Sequence, residues 1–171
     1  MSQDFVLYGS AGSGSAVVEV ALEWAGLPCQ IVSAAEWQRG AGFEALKKVN
    51  PLGQIPTLVM ADGTVLTESA AILIHLGLAH PQSGLLPSAA SARALALRAL
   101  VFIGANCYAA VSVSDYPERW CAEPDDATCA RVRRGAQAHL AQARPGFLAT
   151  LQRIESHPRV APVLARHWPP T

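Results

Sequence analysis

Charge is scarce in this sequence. Asp, Glu, Lys and Arg make up 15% of its 171 residues, where about 25% is usual. What charge there is divides unevenly: residues 1–85 carry three Lys/Arg and seven Asp/Glu, a net of −4, and residues 86–171 carry ten and six, a net of +4. That separation suits two domains and is too mild for a nucleic-acid-binding surface, so no nucleic-acid partner is expected. Cysteine is sparse as well. Cys29, Cys107, Cys121 and Cys129 form no CxxC pair, and no histidines stand at zinc spacing, so neither a metal site nor a disulfide scaffold is expected. The opening MSQDF lacks the basic and apolar regions of an export signal. The longest apolar stretch, Ala99 to Val113, is short for a bilayer span and contains Asn106. The expectation is a soluble, cytoplasmic protein with no membrane partner.

Apolar residues, at 51%, are plentiful. That is more than one small surface-limited domain needs, which points to a subunit interface and a homodimer. Along the chain, Phe5-Val6-Leu7-Tyr8 is a β-type run ending in GSAGSGS. Val17, Val18, Ala21, Leu22 and Ala25 then recur at helical intervals, and Gly26 and Pro28 stop that helix. Gln30-Ile31-Val32 suits a second strand, and residues 36–49 a weak helix. Thr57–Met60 and Thr64–Leu66 flank Asp62-Gly63 as a hairpin, and Ala70–Leu78 is the next helix. The order βαβαββα fills residues 1–79. A breaker-rich linker, 80–88, follows, and 89–171 carries only helical patterns: Ala89–Val111, Ala127–Ala143 and Gly146–Ile154. The first of these is apolar on nearly every side and is expected to be buried on nearly every side.

Residues 50–72, NPLGQIPTLVMADGTVLTESAAI, concentrate the punctuation. A proline at the start of a strand removes one ladder donor, so Pro56 belongs at a strand end. It is either an ordinary loop proline or a cis-proline that turns the Ile55 backbone outward to pair with an extended peptide. Ser69 suits the N-cap of the helix Ala70–Leu78. The same helix start could hold a ligand carboxylate on free N–H groups, with Glu68 receiving an ammonium group. A peptide-pairing backbone beside an α-amino-acid clamp describes a receptor for a short peptide such as glutathione.

These residues carry a family resemblance. NPLGQIPTL…DGTVLTESAAI resembles the glutathione-binding half of the soluble glutathione transferases. LYGSAGSGSAVVEVAL resembles their first strand, catalytic loop and first helix, and FIGANCYAAVSVSDYPERW and HPRVAPVLARHW resemble pieces of their helical domain. The resemblance implies an α/β thioredoxin-like N-terminal domain followed by an all-α C-terminal domain. It implies glutathione as co-substrate without a metal, a cis Pro56, and glutathione held by Gln54, Ile55, Pro56, Glu68 and Ser69. A small apolar electrophile would be the partner substrate. Tyr108, Tyr116 and Trp120, with Tyr8, could wall its pocket, and core packing is the other and more common use of the first three. After residue 120 there is no Ser/Thr-x-x-Asp capping box, so the helical half looks shortened by roughly two helices.

The chemistry needs a donor near the start of the first helix to stabilise a thiolate, since a free thiol has a pKa of about 8.5. Ser10, Ser13 and Ser15 lie in that loop. Gly14 occupies the position of the catalytic cysteine in beta-class relatives. Ser15 also suits a helix N-cap and Ser10 a chain turn, which favours Ser13. His75 suits packing, and Arg131, Arg133 and Arg134 a solvated helix face. The leading function is conjugation of the glutathione thiolate to an electrophile. The alternatives are a non-catalytic glutathione-binding or regulatory protein, and a glutathione-dependent isomerase or lyase.

Overall fold

A computed structural model describes residues 5–143 and 153–169 of the chain. Residues 146–152 of the expected helix Gly146–Ile154 lie outside them. The chain forms two compact units, Met1–Ala94 together with Ile154–Thr171, and Leu95–Arg153. The grouping departs from the sequence boundaries at 79 and 89. Residues 80–94 and the C-terminal segment pack with the first unit, where Val160 and Val163 are buried.

The first unit is built on a four-stranded sheet in the order β2-β1-β3-β4. β1 is Phe5–Gly9, β2 Cys29–Ser33, β3 Thr57–Val59 and β4 Val65–Thr67. β1 and β2 are parallel, while β3 is antiparallel to both β1 and β4. The register aligns Leu7 with Leu58 and Leu58 with Leu66. Side chains directly opposite share a face, so a row of leucines crosses the sheet. α1 (Ala16–Ala25) and α3 (Ser69–Ala79) cover that row with Val18, Leu22, Ile72 and Leu76. Each such leucine, fully buried, contributes roughly 1.5–3 kcal/mol. The βαβαββα order and the thioredoxin-like sheet agree with the sequence expectation.

Local departures have local causes. The weak helix 36–49 splits into a single 3-10 turn, Glu36–Gln38, and α2, Ala41–Val49. The break falls at Arg39, whose φ is 42°, and Gly40. Gly42 admits no side chain, because a Cβ there would collide with the Ser33 carbonyl oxygen. The Asp62-Gly63 hairpin forms as expected: Met60 N–H donates to Thr64 O at 2.8 Å and Thr64 N–H to Asp62 Oδ1 at 2.8 Å.

α4 (Ala90–Phe102), a π-helical turn (Ile103–Tyr108) and α5 (Ala109–Asp115) form one continuous helix of 26 residues. It is long and apolar enough, by length and composition alone, to cross a membrane. The expectation that it is buried on nearly every side is overturned. In the second unit Leu95, Val101, Ile103 and Val111 of this helix are exposed. α5 packs against α6 (Asp126–Ala143), and that covers one face of the helix's second half. Arg131, Arg133 and Arg134 are exposed, as expected of a solvated face, and Arg133 also donates Nε–H to Ser114 O at 3.0 Å, satisfying a carbonyl in the last turn of α5. A further helix, α7 (Ala161–His167), belongs to the first unit and lies against α1.

Candidate functional site

The sheet register brings three separate segments to one end. Tyr8 pairs with Thr57, and Thr57 pairs with Thr67. The loop 10–15 leaves β1 at that end, Gln54-Ile55-Pro56 enters β3 there, and Glu68-Ser69 leaves β4 there. Neighbouring strands lie about 4.8 Å apart, so Glu68 stands two strands, about 10 Å, across the end from the β1 loop.

The segment before β3 is held rigidly while its own backbone stays free. Asn50 is buried, and its Nδ2 donates to Gln54 O at 3.2 Å and to Thr57 Oγ1 at 3.0 Å. Its Oδ1 accepts the Leu52 N–H at 3.2 Å, and Thr57 Oγ1 donates to Gln54 O at 2.8 Å. Gly53 closes the turn at φ 63°, where a Cβ would lie 3.0 Å from the Phe43 ring. The Ile55–Pro56 bond is cis. Among the described residues no hydrogen bond engages the Ile55 N–H or C=O. A half-buried backbone pair left open at a sheet end is an acceptor and donor for an added strand.

Glu68 makes the whole turn from β4 into α3 alone, because β4 ends at Thr67 and α3 begins at Ser69. It therefore holds φ 63° and ψ 111°, a conformation non-glycine residues rarely adopt. This corrects the sequence assignment: Glu68 occupies the N-cap position, Ser69 is the first helical residue, and neither side chain caps the helix. The Glu68 carbonyl accepts the first helical bond, from Ile72 N–H at 3.0 Å. The N–H groups of Ser69, Ala70 and Ala71 are thus left without an intrahelical acceptor. The exposed Glu68 carboxylate thus stands in a costly backbone conformation beside three N–H groups without an intrahelical acceptor.

The β1 loop is tied by its serines. Ser15 is buried, and a Cβ on Gly9 would lie 2.5 Å from its Oγ, so the glycine makes room for that hydroxyl. Ser10 N–H donates to Ser15 Oγ at 3.1 Å, and Ser15 N–H donates to Ser13 Oγ at 3.3 Å. Ser10 O lies 2.7 Å from Ser13 Oγ and 3.2 Å from Ser15 Oγ, and the two hydroxyls are 2.9 Å apart. Ser15 stands at the N-cap of α1, yet its side chain makes no cap bond and turns back to Ser10. Ser10 Oγ is buried without a partner among the described residues. Two protons serve three contacts. Either Ser13 donates to Ser10 O and Ser15 to Ser13, or Ser15 donates to Ser10 O and the Ser13 proton is free to point out of the loop. The second arrangement leaves the loop's other groups as satisfied as the first. The backbone N–H groups of Ala11, Gly12, Ser13 and Gly14 have no partner among the described residues.

Of the other candidates, Tyr8 is half-buried in the first unit. Tyr108 and Tyr116 belong to the second, where burial raises the Tyr108 hydroxyl pKa and the Arg119 guanidinium stacks 4.2 Å from the Tyr116 ring. Cys121 donates its thiol to Pro117 O at 3.3 Å, and the neighbouring Cys129 has its thiol pKa raised, chiefly by desolvation and then by Cys121. A cavity of about 210 Å³ is lined by Leu7, Glu19, Leu22, Cys29 and Ile31, residues outside the three segments. Sequence reasoning missed Asn50 as the anchor of the Ile55 turn, although the Asn-Pro pair signalled a turn. It also missed Glu19, Arg166 and His167, which meet over a separation of more than 140 residues that no local pattern betrays.

Comparison with known proteins bears on the same segments. Residues 7–84 match the family model for the glutathione S-transferase N-terminal domain. The chain is 39% identical over 115 residues to the uncharacterized GST-like protein YncG of Escherichia coli K12, a match covering 67% of this chain and 56% of that protein. The chain thus spans little more than half the length of that relative. A glutathione transferase homologue from Sulfitobacter, solved with bound glutathione, superposes with a TM-score of 0.73 at 24% identity, covering 92% of this chain and 74% of that one. A glutathione S-transferase from Methylobacterium radiotolerans, solved with glutathione sulfonate, superposes with a TM-score of 0.70 at 25% identity, covering 94% of each. With its N-terminal domain matched and its fold shared, the chain belongs to the glutathione transferase family.

Proposed function

We propose that the chain binds glutathione across this sheet end and transfers its thiolate to a small apolar electrophile. The observation that carries the reading is the register Tyr8–Thr57–Thr67, which sets a thiol loop, an open backbone and a carboxylate in a line. The two strand spacings between them, about 10 Å, match three extended residues at roughly 3.3 Å each. On this reading the γ-glutamyl ammonium meets Glu68, and its carboxylate meets the α3 N–H groups beside Ser69. The cysteinyl backbone pairs with Ile55 at the Gln54–Pro56 turn, and the sulfur reaches the loop 10–15. Two bound relatives support the choice of ligand. Ser13 rotates its proton outward while Ser15 keeps the Ser10 carbonyl satisfied, and the unpaired loop N–H groups add positive potential. Both favour the thiolate over the thiol. The test is ultraviolet titration of bound glutathione, with turnover of an activated aryl halide in parallel. Thiolate near neutral pH that Ser13→Ala abolishes supports conjugation. Binding without ionisation favours the non-catalytic alternative, to which the inward proton arrangement of Ser13 corresponds.

We also propose that the active form is a homodimer, joined through the exposed apolar residues of α4 and the π-helical turn. Leu95, Val101 and Ile103 are each more than 40% exposed there, more apolar surface than a lone chain with little charge keeps in solution.

A further inference from the structure

The geometry points to α7 as a positioning element for the thiol loop, locked in place by a clamp in which the buried Glu19 and His167 are joined by the half-exposed Arg166. The inference rests on the loop 10–15 being the thiol site. Glu19 lies in the first turn of α1, directly behind that loop, and its side chain is only 8% exposed. A carboxylate so buried requires partners. Arg166 donates Nε–H to Glu19 Oε1 at 3.0 Å, and its Nη2 is shared between Glu19 and Glu23, one turn along α1. These bonds, with Glu19 first among them, hold the guanidinium pKa above its ordinary value. His167 is buried and meets the other oxygen, Nε2 to Oε2 at 2.9 Å, while its Nδ1 has no partner among the described residues. Both oxygens of one α1 carboxylate are therefore tied to consecutive residues of α7.

The end of α7 is what touches the loop. Gly12 holds φ 69°, and a Cβ there would lie 3.7 Å from the His167 carbonyl oxygen and 3.8 Å from Trp168 Nε1. The loop thus has α1 behind it and the end of α7 against Gly12, and the clamp fixes one to the other. Arg159 adds a second fastening, stacking its guanidinium 4.1 Å from the Trp24 ring and donating to Trp24 O. The clamp also pairs a carboxylate that would otherwise stand at the N-terminal end of α1, where bare negative charge opposes a thiolate. Nothing in the clamp touches Ile55, Glu68 or Ser69, so loosening it should disturb ionisation and leave capture intact.

The test uses the full chain with glutathione as probe, comparing Arg166→Gln and His167→Ala with Arg166→Lys and His167→Gln. In the first pair the pH midpoint of the bound thiolate should rise by about one unit. Glutathione affinity should stay within about twofold, and the hydrogen-bonded amides of Ser10, Ser15 and Ala16 should exchange about tenfold faster. The conservative pair should recover most of both changes. Midpoints and exchange rates at the wild-type level in Arg166→Gln and His167→Ala would overturn the proposal. So would affinity and ionisation falling together, since that marks general loosening of the unit. If the wild type itself neither binds nor ionises glutathione, the functional reading fails, and amide exchange alone then decides: faster exchange in the loop supports the clamp, unchanged exchange sinks it.

Discussion

The first unit buries a connected apolar core, whereas the long apolar helix of the second leaves most of its side chains exposed. In the first, Leu7, Leu58 and Leu66 form one row across the sheet, with α1 and α3 laid over it. Tyr8, Thr57 and Thr67 stand one residue further along the same pairing. The register that buries the leucines therefore also aligns the candidate site, because shifting a strand by one residue would expose its apolar side chains. In the second unit the long helix leaves Leu95, Val101 and Ile103 exposed, and among the described residues α5 packs against α6. The same kind of residue is a core member in one unit and an available surface in the other. Covering a face, rather than composition, makes the difference.

The sharpest way to break this contrast is to truncate one leucine in each unit. Leu58→Ala should destabilise the first unit by roughly 2–5 kcal/mol, the cost of emptying a fully buried site. Measured below the concentration at which the proposed dimer forms, Leu95→Ala should change stability by no more than about 0.5 kcal/mol, as surface substitutions do. Urea denaturation followed by Trp24 fluorescence reads the first and far-ultraviolet circular dichroism the second. Equal losses would mean that the long helix is as well covered as the sheet.

A smaller effect is expected at Asn50, which ties fold to site. Asn50→Ala leaves Gln54 O with only the Thr57 hydroxyl and Leu52 N–H without its acceptor, at a cost of about 1–3 kcal/mol. Because the same bonds set the Ile55 backbone, glutathione affinity should fall with stability in this variant, as calorimetry would record. Smaller again in stability is the paired change Leu95→Ser with Val101→Ser. It should leave the melting of the first unit unchanged while converting a dimer to a chain of 18.0 kDa in sedimentation at micromolar concentration. A wild-type monomer would remove the proposed interface.

The smallest expected effect is a pH dependence at the hairpin. Hydrogen bonding from Thr64 holds the Asp62 pKa below the ordinary carboxylate range. A carboxyl with a lowered folded-state pKa adds stability above its unfolded value and loses it as pH falls through the folded one. Thermal melts taken downward from pH 5 should show this loss in the wild type and a shallower one in Asp62→Asn.

How much was legible in the sequence follows the same division. Alternating and helical periods located the four strands, α1 and α3, because each has one face to bury and the pattern records that face. The cis bond at Pro56 was legible because turn chemistry and the family pattern coincide there. The sequence misplaced the helix start by one residue, since nothing in Thr-Glu-Ser tells that Glu68 alone spans strand and helix at φ 63°. The long helix was expected to be buried because apolar composition does not say which faces find partners. The Glu19–Arg166–His167 clamp was illegible because its members are far apart in sequence and each has an ordinary local role: a helix-start acid and two helix-end bases. Ser13 lies between these cases, since its position was legible and the two proton arrangements of its loop were not.

The central claim is that glutathione is captured at the sheet end through Glu68. Titration calorimetry of glutathione into the wild type and Glu68→Gln tests it most directly, because that substitution removes charge and little else. Saturable binding in the wild type is predicted, weakened in Glu68→Gln by about 1.5–3 kcal/mol, the worth of a hydrogen bond to a charged group, with the melting temperature unchanged. Equal affinity in the two proteins would contradict the account.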